Sequence, residues 1–184
     1  MKRMFKNYTE GVEIEIVDRL VSVHSALASN DVEHKIASNR TSTTTSLDKS
    51  QHTDIYHLIH SLALQANNDA YGFHIDDIEA CQFGLYEESA KGHYTWHIDF
   101  KGFNETQDKK MRKISVVIQL SEPTEYEGGE LQLKYSNYSR QEKSDILKKG
   151  SVITFPSFVE HRVTPVTKGK RISLIGWVVG DAWK

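Results

Sequence analysis

The chain has 184 residues, of which 38% are hydrophobic and 26% charged, enough for one domain with an ordinary core and too short for two full ones. Its 23 Lys and Arg nearly balance 25 Asp and Glu for a net charge of -2, so no global basic field marks a nucleic-acid or anionic-membrane protein. No stretch approaches the roughly 20 apolar residues of a membrane span, no apolar run at the N-terminus reads as a secretory signal, and the single cysteine, Cys81, has no partner for an intrachain bridge; a soluble protein in a reducing cytoplasm is the expectation.

Apolar residues at Ile16, Val17, Leu20, Val23 and Leu27 predict an amphipathic helix over 16–28. The Ser- and Thr-rich stretch Ser38–Ser50 reads either as a loop or as an exposed β-branched strand. Thr53 is placed to cap a second helix that runs to Ala66, buries Ile55, Leu58, Ile59, Leu62 and Ala66, and ends at Asn67-Asn68. His57 and His60 lie three apart on it, with Asp54 a turn away; a solvated helix surface explains them better than a metal face, because no fourth donor has matching spacing.

From Ile78 the period changes to two. Short strands are predicted at Ile78–Tyr86, His93–Asp99, Lys113–Leu120, Glu130–Tyr135, Ser151–Phe155, His161–Val166 and Arg171–Val179, with turns at Ala90-Lys91-Gly92, Glu127-Gly128-Gly129, Lys148-Lys149-Gly150 and Lys168-Gly169-Lys170. The expected architecture is mainly β, a jelly roll or sandwich with two N-terminal helices on one outer face. It is one domain over 1–184, with a helical support region at 1–75 and a jelly-roll core at 76–184. Cys81, inside a strand and without cationic neighbours, is expected to be a core thiol.

Strand alternation in His93-Tyr94-Thr95-Trp96-His97-Ile98-Asp99 turns His93, Thr95, His97 and Asp99 to one face and Tyr94 to the other. A histidine and a carboxylate on one strand, joined by a distant histidine, suit ferrous iron and leave positions open for substrates. His161, in a later strand, is the candidate third ligand. Arg171 shares a face with Ser173, Ile175 and Trp177. A guanidinium among such neighbours needs an anion, either an internal Asp or Glu or the carboxylate of a ligand. The segment Phe100–Arg112 reads as a lid or a surface loop, and its basic end (Lys109, Lys110, Arg112, Lys113) as a steering patch or a solvated face.

Taken in order, Tyr86, His97-Ile98-Asp99, Tyr126-Glu127-Gly128-Gly129-Glu130-Leu131, Phe155-Pro156-Ser157 before His161, and Arg171 with Trp177 six residues on resemble the 2-oxoglutarate and Fe(II)-dependent dioxygenases. The resemblance is to the prolyl 4-hydroxylase-like branch that includes the PKHD-type hydroxylases, and it covers roughly Ile78 to Trp177. It implies a double-stranded β-helix, iron held by His97, Asp99 and His161, and the distal carboxylate of 2-oxoglutarate held by Arg171. It also implies a tyrosine hydroxyl near the cosubstrate, a role that fits Tyr86, with Tyr94 as an alternative, and a pocket-lining tryptophan, Trp177. Arg40-Thr41-Ser42 resembles an extended segment that precedes the second helix in this branch, which would make Ser38–Ser50 part of the cleft wall. The implied cofactors are Fe(II), 2-oxoglutarate and O2, with ascorbate as a reductant; no catalytic side chain beyond the iron ligands is implied. The implied reaction hydroxylates an unactivated C–H of a peptidyl proline, another protein side chain or an amino acid, releasing succinate and CO2. Two alternatives remain: a nucleic-acid oxidative demethylase, disfavoured because Trp177 stands where those enzymes carry a second arginine, and a non-catalytic cupin-like binding module.

Overall fold

The computed structural model describes residues 5–28, 32–100, 110–134, 141–143 and 148–182. In chain order its elements are β1 (Lys6–Tyr8), α1 (Ile14–Leu27), β2 (Glu33–Ala37), β3 (Arg40–Ser46), α2 (Thr53–Ala66), β4 (Asp77–Glu87), β5 (His93–His97), β6 (Lys110–Gln119), β7 (Tyr126–Gly128), β8 (Leu131–Lys134), β9 (Gln141–Lys143), β10 (Val152–Pro156), β11 (Glu160–Val163) and β12 (Val166–Asp181). The proposed lid falls mostly on 101–109, outside the described residues.

All pairings are antiparallel, in the order β1-β10-β6-β12-β4-β3-β5-β11-β8-β9, with β2 added to β3 and β7 to β12. A twisted sheet of this many strands curls rather than staying open, and the curl gives the jelly roll that the strand spacing predicts. Alternation then sorts side chains between two cores. On β6, Ile114, Val116 and Ile118 join Leu174 and Val178 of β12 beneath Ile55, Ile59 and Leu62 of α2 and Val17 and Leu20 of α1. Val117, one residue out of phase, faces inward with Tyr86, Leu133, Ile153 and Phe155. Both faces of β6 are therefore buried, which is why its apolar run lacks an amphipathic period. Gly176 lies on the helix side of β12, where a Cβ would collide with Ile59; the glycine lets α2 seat against the sheet.

Some local expectations change. Thr53 is the first residue of α2, not its cap, and its hydroxyl donates to the Lys49 carbonyl. The helix ends in a π-helical turn, Asn67–Tyr71, stopped by Gly72 at a φ of 66°. Of Ser38–Ser50, the part up to Ser46 is mostly strand: β3 pairs with β2, β4 and β5, and Thr44 and Thr45 are buried. β1, β2 and β3 thus bring the N-terminal third into the sheet. Lys168-Gly169-Lys170 is no turn but a stretch of β12, where Gly169 pairs with Tyr126 of β7. Among the described residues, no helix is long and apolar enough to cross a membrane.

Candidate functional site

β12 is the backbone of the site. Its odd-numbered side chains Arg171, Ser173, Ile175 and Trp177 line one pocket, as alternation requires. Across the ladder Arg171 pairs with Tyr86 and Ile175 with Gln82 of β4, so these two enter the same pocket.

The opposite wall comes from β5 and β11. His97 pairs with His161, but the next matched pair is Tyr94 with Val163, so three steps on β5 span two on β11. This bulge overturns the simple alternation: Tyr94 joins His97 and Asp99 in the pocket, while Thr95 is exposed and His93 lies outside the lining. The Tyr94 and His97 rings stack, centroids 3.4 Å apart.

His97, Asp99 and His161 present ligand atoms within 4.8 Å of one another. His161 Nε2 lies 3.6 Å from Asp99 Oδ2, and His97 Nε2 3.9 Å from Asp99 Oδ1. Each ring is oriented from behind: His97 Nδ1 meets the Thr95 carbonyl at 2.7 Å and His161 Nδ1 the Val159 carbonyl at 2.9 Å. A carbonyl can only accept, so each Nδ1 carries a proton and Nε2 is the nitrogen aimed at Asp99, the one left for a metal. Burial and then the facing His161 push the His97 pKa down to about 4, which keeps that ring neutral. At Asp99, burial raises the pKa, but His161, the Ser115 hydroxyl, Trp177 and His97 outweigh it and hold the carboxyl below its usual range.

Support for Asp99 comes from serines. Ser115 Oγ donates to Asp99 Oδ2 at 2.7 Å and lies 3.0 Å from Ser157 Oγ. The Ser157 carbonyl accepts from the amides of Asp99 and Phe100 at 3.0 and 2.9 Å. Ser115 carries no motif; its one sequence signal is a polar residue at an inward position of the apolar strand β6. Trp177 Nε1 is buried beside this carboxylate without an acceptor in hydrogen-bond geometry, and the Arg112 guanidinium, held by the Glu79 fork, stacks on its ring at 4.1 Å. Two imidazole nitrogens and an ionised carboxylate converging within ligand distance of one another fit a divalent metal of the ferrous type.

Arg171 is 2% exposed and, among the described residues, has no carboxylate partner. The internal ion pair weighed from sequence is absent there, leaving a buried cation over the Tyr86 ring at 5.9 Å that faces the pocket. Such a site selects an anionic ligand. Tyr86 is also buried, which raises its pKa and keeps its hydroxyl protonated. Arg40 of β3 lines the pocket as well, so of the Arg40-Thr41-Ser42 segment Arg40 is cleft wall, while Thr41 and Ser42 line a separate hollow with His34 and Leu85.

The remaining candidates lie elsewhere. His57 and His60 belong to no metal-capable cluster among the described residues, and Asp54 pairs with Arg19 of α1. Of the basic run, Lys109 lies outside the described residues; the other three form no steering patch, since Lys110 pairs with Asp76 and Asp181 while Arg112 and Lys113 are buried in β6. Cys81 is a buried core thiol, as expected.

The family model of the 2OG-Fe(II) oxygenase superfamily matches residues 81–179, from β4 through nearly all of β12. A PKHD-type hydroxylase of Alteromonas mediterranea is 37% identical over 98 residues, covering 52% of this chain and 41% of that protein. The chain spans less than half the length of the curated relatives it matches. A Pseudomonas putida prolyl-4-hydroxylase superposes with a TM-score of 0.77 at 20% identity, covering 99% of this chain and 95% of that one. A Trichoplax adhaerens prolyl hydroxylase, solved with a hypoxia inducible factor peptide fragment, gives 0.75 at 18% identity over 97% and 84% of the two chains. These structural likenesses show the fold, whereas the family match covers more than half of the chain and contains both histidines, Asp99 and Arg171: the chain belongs to the 2OG-Fe(II) oxygenase superfamily.

Proposed function

We propose that this chain is an Fe(II)- and 2-oxoglutarate-dependent dioxygenase that hydroxylates an unactivated C–H of a protein or amino-acid substrate, with peptidyl proline the leading choice. The observation that carries the reading is that Arg171, buried and without a carboxylate partner among the described residues, shares one pocket with the His97, Asp99 and His161 donors. In this reading His97, Asp99 and His161 hold the metal. Bound there, Fe(II) and 2-oxoglutarate supply the oxidising chemistry, with O2 consumed and succinate and CO2 released.

The chain's own residues contribute binding, orientation and dryness. Arg171 pairs its planar fork with the distal carboxylate of the keto acid. Tyr86, kept protonated by burial, offers that carboxylate a neutral donor. Val117, Leu131, Ile175 and Trp177 line the pocket with apolar surface, which excludes water from the reacting C–H. Ser115 and Ser157 keep Asp99 aimed at the ion, and the Thr95 and Val159 carbonyls, each accepting from the Nδ1–H, leave both Nε2 atoms turned toward it.

The preference for a peptide draws on the prolyl hydroxylase names among the structural neighbours and on the peptide fragment held by the Trichoplax protein. Incubation with Fe(II), ascorbate, O2 and labelled 2-oxoglutarate tests the activity. Iron-dependent release of succinate and CO2, increased by a peptide that gains 16 Da, supports it; no turnover with metal bound would favour a binding module.

A further inference from the structure

Arg40 enters the pocket from the start of β3, and its environment differs from that of Arg171. Where Arg171 is 2% exposed, Arg40 is half-buried at the wall. Its guanidinium lies 4.6 Å from the centre of the Tyr94 ring, and that ring stacks on His97. Arg40 Nε donates to Ser42 Oγ at 2.7 Å, which fixes the plane of the guanidinium. Among the described residues no carboxylate pairs with Arg40, and no hydrogen bond occupies its two terminal amino groups. That free edge is the one that grips a carboxylate with two parallel bonds.

Charge points the same way. Of the pocket-lining residues, Asp99 is the one carboxylate, against two arginines. Under the dioxygenase reading, the metal adds two positive charges and 2-oxoglutarate brings two negative ones, so a positive charge is left over once both are loaded. Arg171 is matched by the cosubstrate, which leaves Arg40 as the unmatched cation on the pocket wall beside Tyr94.

We propose that Arg40 selects substrates carrying a carboxylate next to the hydroxylated residue, so that this site takes an anionic substrate and not a neutral prolyl segment. The carboxylate comes either from the α-carboxylate of a free or C-terminal amino acid or from an acidic side chain flanking the target. This inference rests on the dioxygenase reading of the same pocket.

The test is equilibrium binding to protein loaded with Zn(II) and 2-oxoglutarate, an inert state read by calorimetry. The probes are N-acetylproline, its neutral amide, and the pair acetyl-Pro-Glu-amide and acetyl-Pro-Gln-amide. At least one acid should bind about 10-fold or more tightly than its amide; which pair discriminates identifies the source of the carboxylate. Arg40→Gln should abolish the difference, and Arg40→Lys should keep part of it. Acid and amide behaving alike in both pairs, whether they bind or not, would overturn the proposal, as would discrimination that survives Arg40→Gln. Failure of the dioxygenase reading is separable, because it appears earlier, as wild-type protein that takes up neither Zn(II) nor 2-oxoglutarate.

Discussion

The Tyr94 ring lies flat on the His97 imidazole, with centroids 3.4 Å apart and planes 14° apart. The two residues are three apart on one strand and meet only because β5 is bulged against β11. The stack and the Thr95 carbonyl together fix the imidazole, so His97 is positioned before any metal arrives.

Removing the ring should therefore loosen the metal site without unfolding the protein. An aromatic pair contributes about 0.5–1.5 kcal/mol, so Tyr94→Ala should weaken Mn(II) or Co(II) binding by roughly 2- to 10-fold, and Tyr94→Phe should leave it nearly unchanged. Metal titration followed by electron paramagnetic resonance checks this. Equal affinity in Tyr94→Ala would mean that the stack has no positioning role.

Ser115 acts on the other ligand. Groups that orient a metal ligand typically account for roughly 10- to 100-fold in affinity, so Ser115→Ala should lower Co(II) affinity by at least about 10-fold. Ser115→Thr should restore most of it, since the hydroxyl is the functional part. A Co(II) spectrum and affinity unchanged in Ser115→Ala would remove Ser115 from the site.

Much of this arrangement is legible in the sequence, and the parts that are not have physical causes. α2 and the pocket face of β12 follow from periodicity alone, because both are regular over their functional length. Tyr94 is misread by alternation, because one extra residue in β5 reverses every face before it and leaves no compositional mark. Ser115 is missed as a site residue for a different reason: it sits on β6, which does not pair with β5, and only the curl of the sheet puts its hydroxyl beside Asp99; Arg40, read from sequence only as cleft wall, is put beside Tyr94 by the register of β3 with β5. Gly169 resembles a turn signal, but β7 pairs across it and carries the strand through.

Arg171 should govern the cosubstrate and not the metal. Losing a charge-assisted pair costs about 1.5–3 kcal/mol, so Arg171→Ala should raise the dissociation constant for 2-oxoglutarate by roughly 10- to 150-fold while metal affinity changes little. Calorimetry with the Zn(II)-loaded protein separates the two. Tight 2-oxoglutarate binding in the variant would move the anchor to another residue.

Burial pushes the Cys81 thiol from 9.0 up to about 12. The native chain then keeps a proton that the unfolded chain releases near pH 9. This contribution to stability is fully present below pH 9 and is lost as pH rises toward 12. The thermal midpoint should therefore fall less steeply above pH 9 in Cys81→Ala than in wild type. At pH 8 a thiol reagent should label the native protein no faster than it unfolds; rapid labelling of folded protein would contradict the burial.

The central claim is that His97, Asp99 and His161 hold a ferrous ion which 2-oxoglutarate then chelates beside Arg171. Anaerobic titration of the apo-protein with Fe(II) and 2-oxoglutarate tests it most directly, by the weak visible charge-transfer band of the chelate. The account predicts a saturable band at one equivalent of each in wild type, absent in Asp99→Ala. Bound iron without a band in wild type, or an undiminished band in Asp99→Ala, would contradict it.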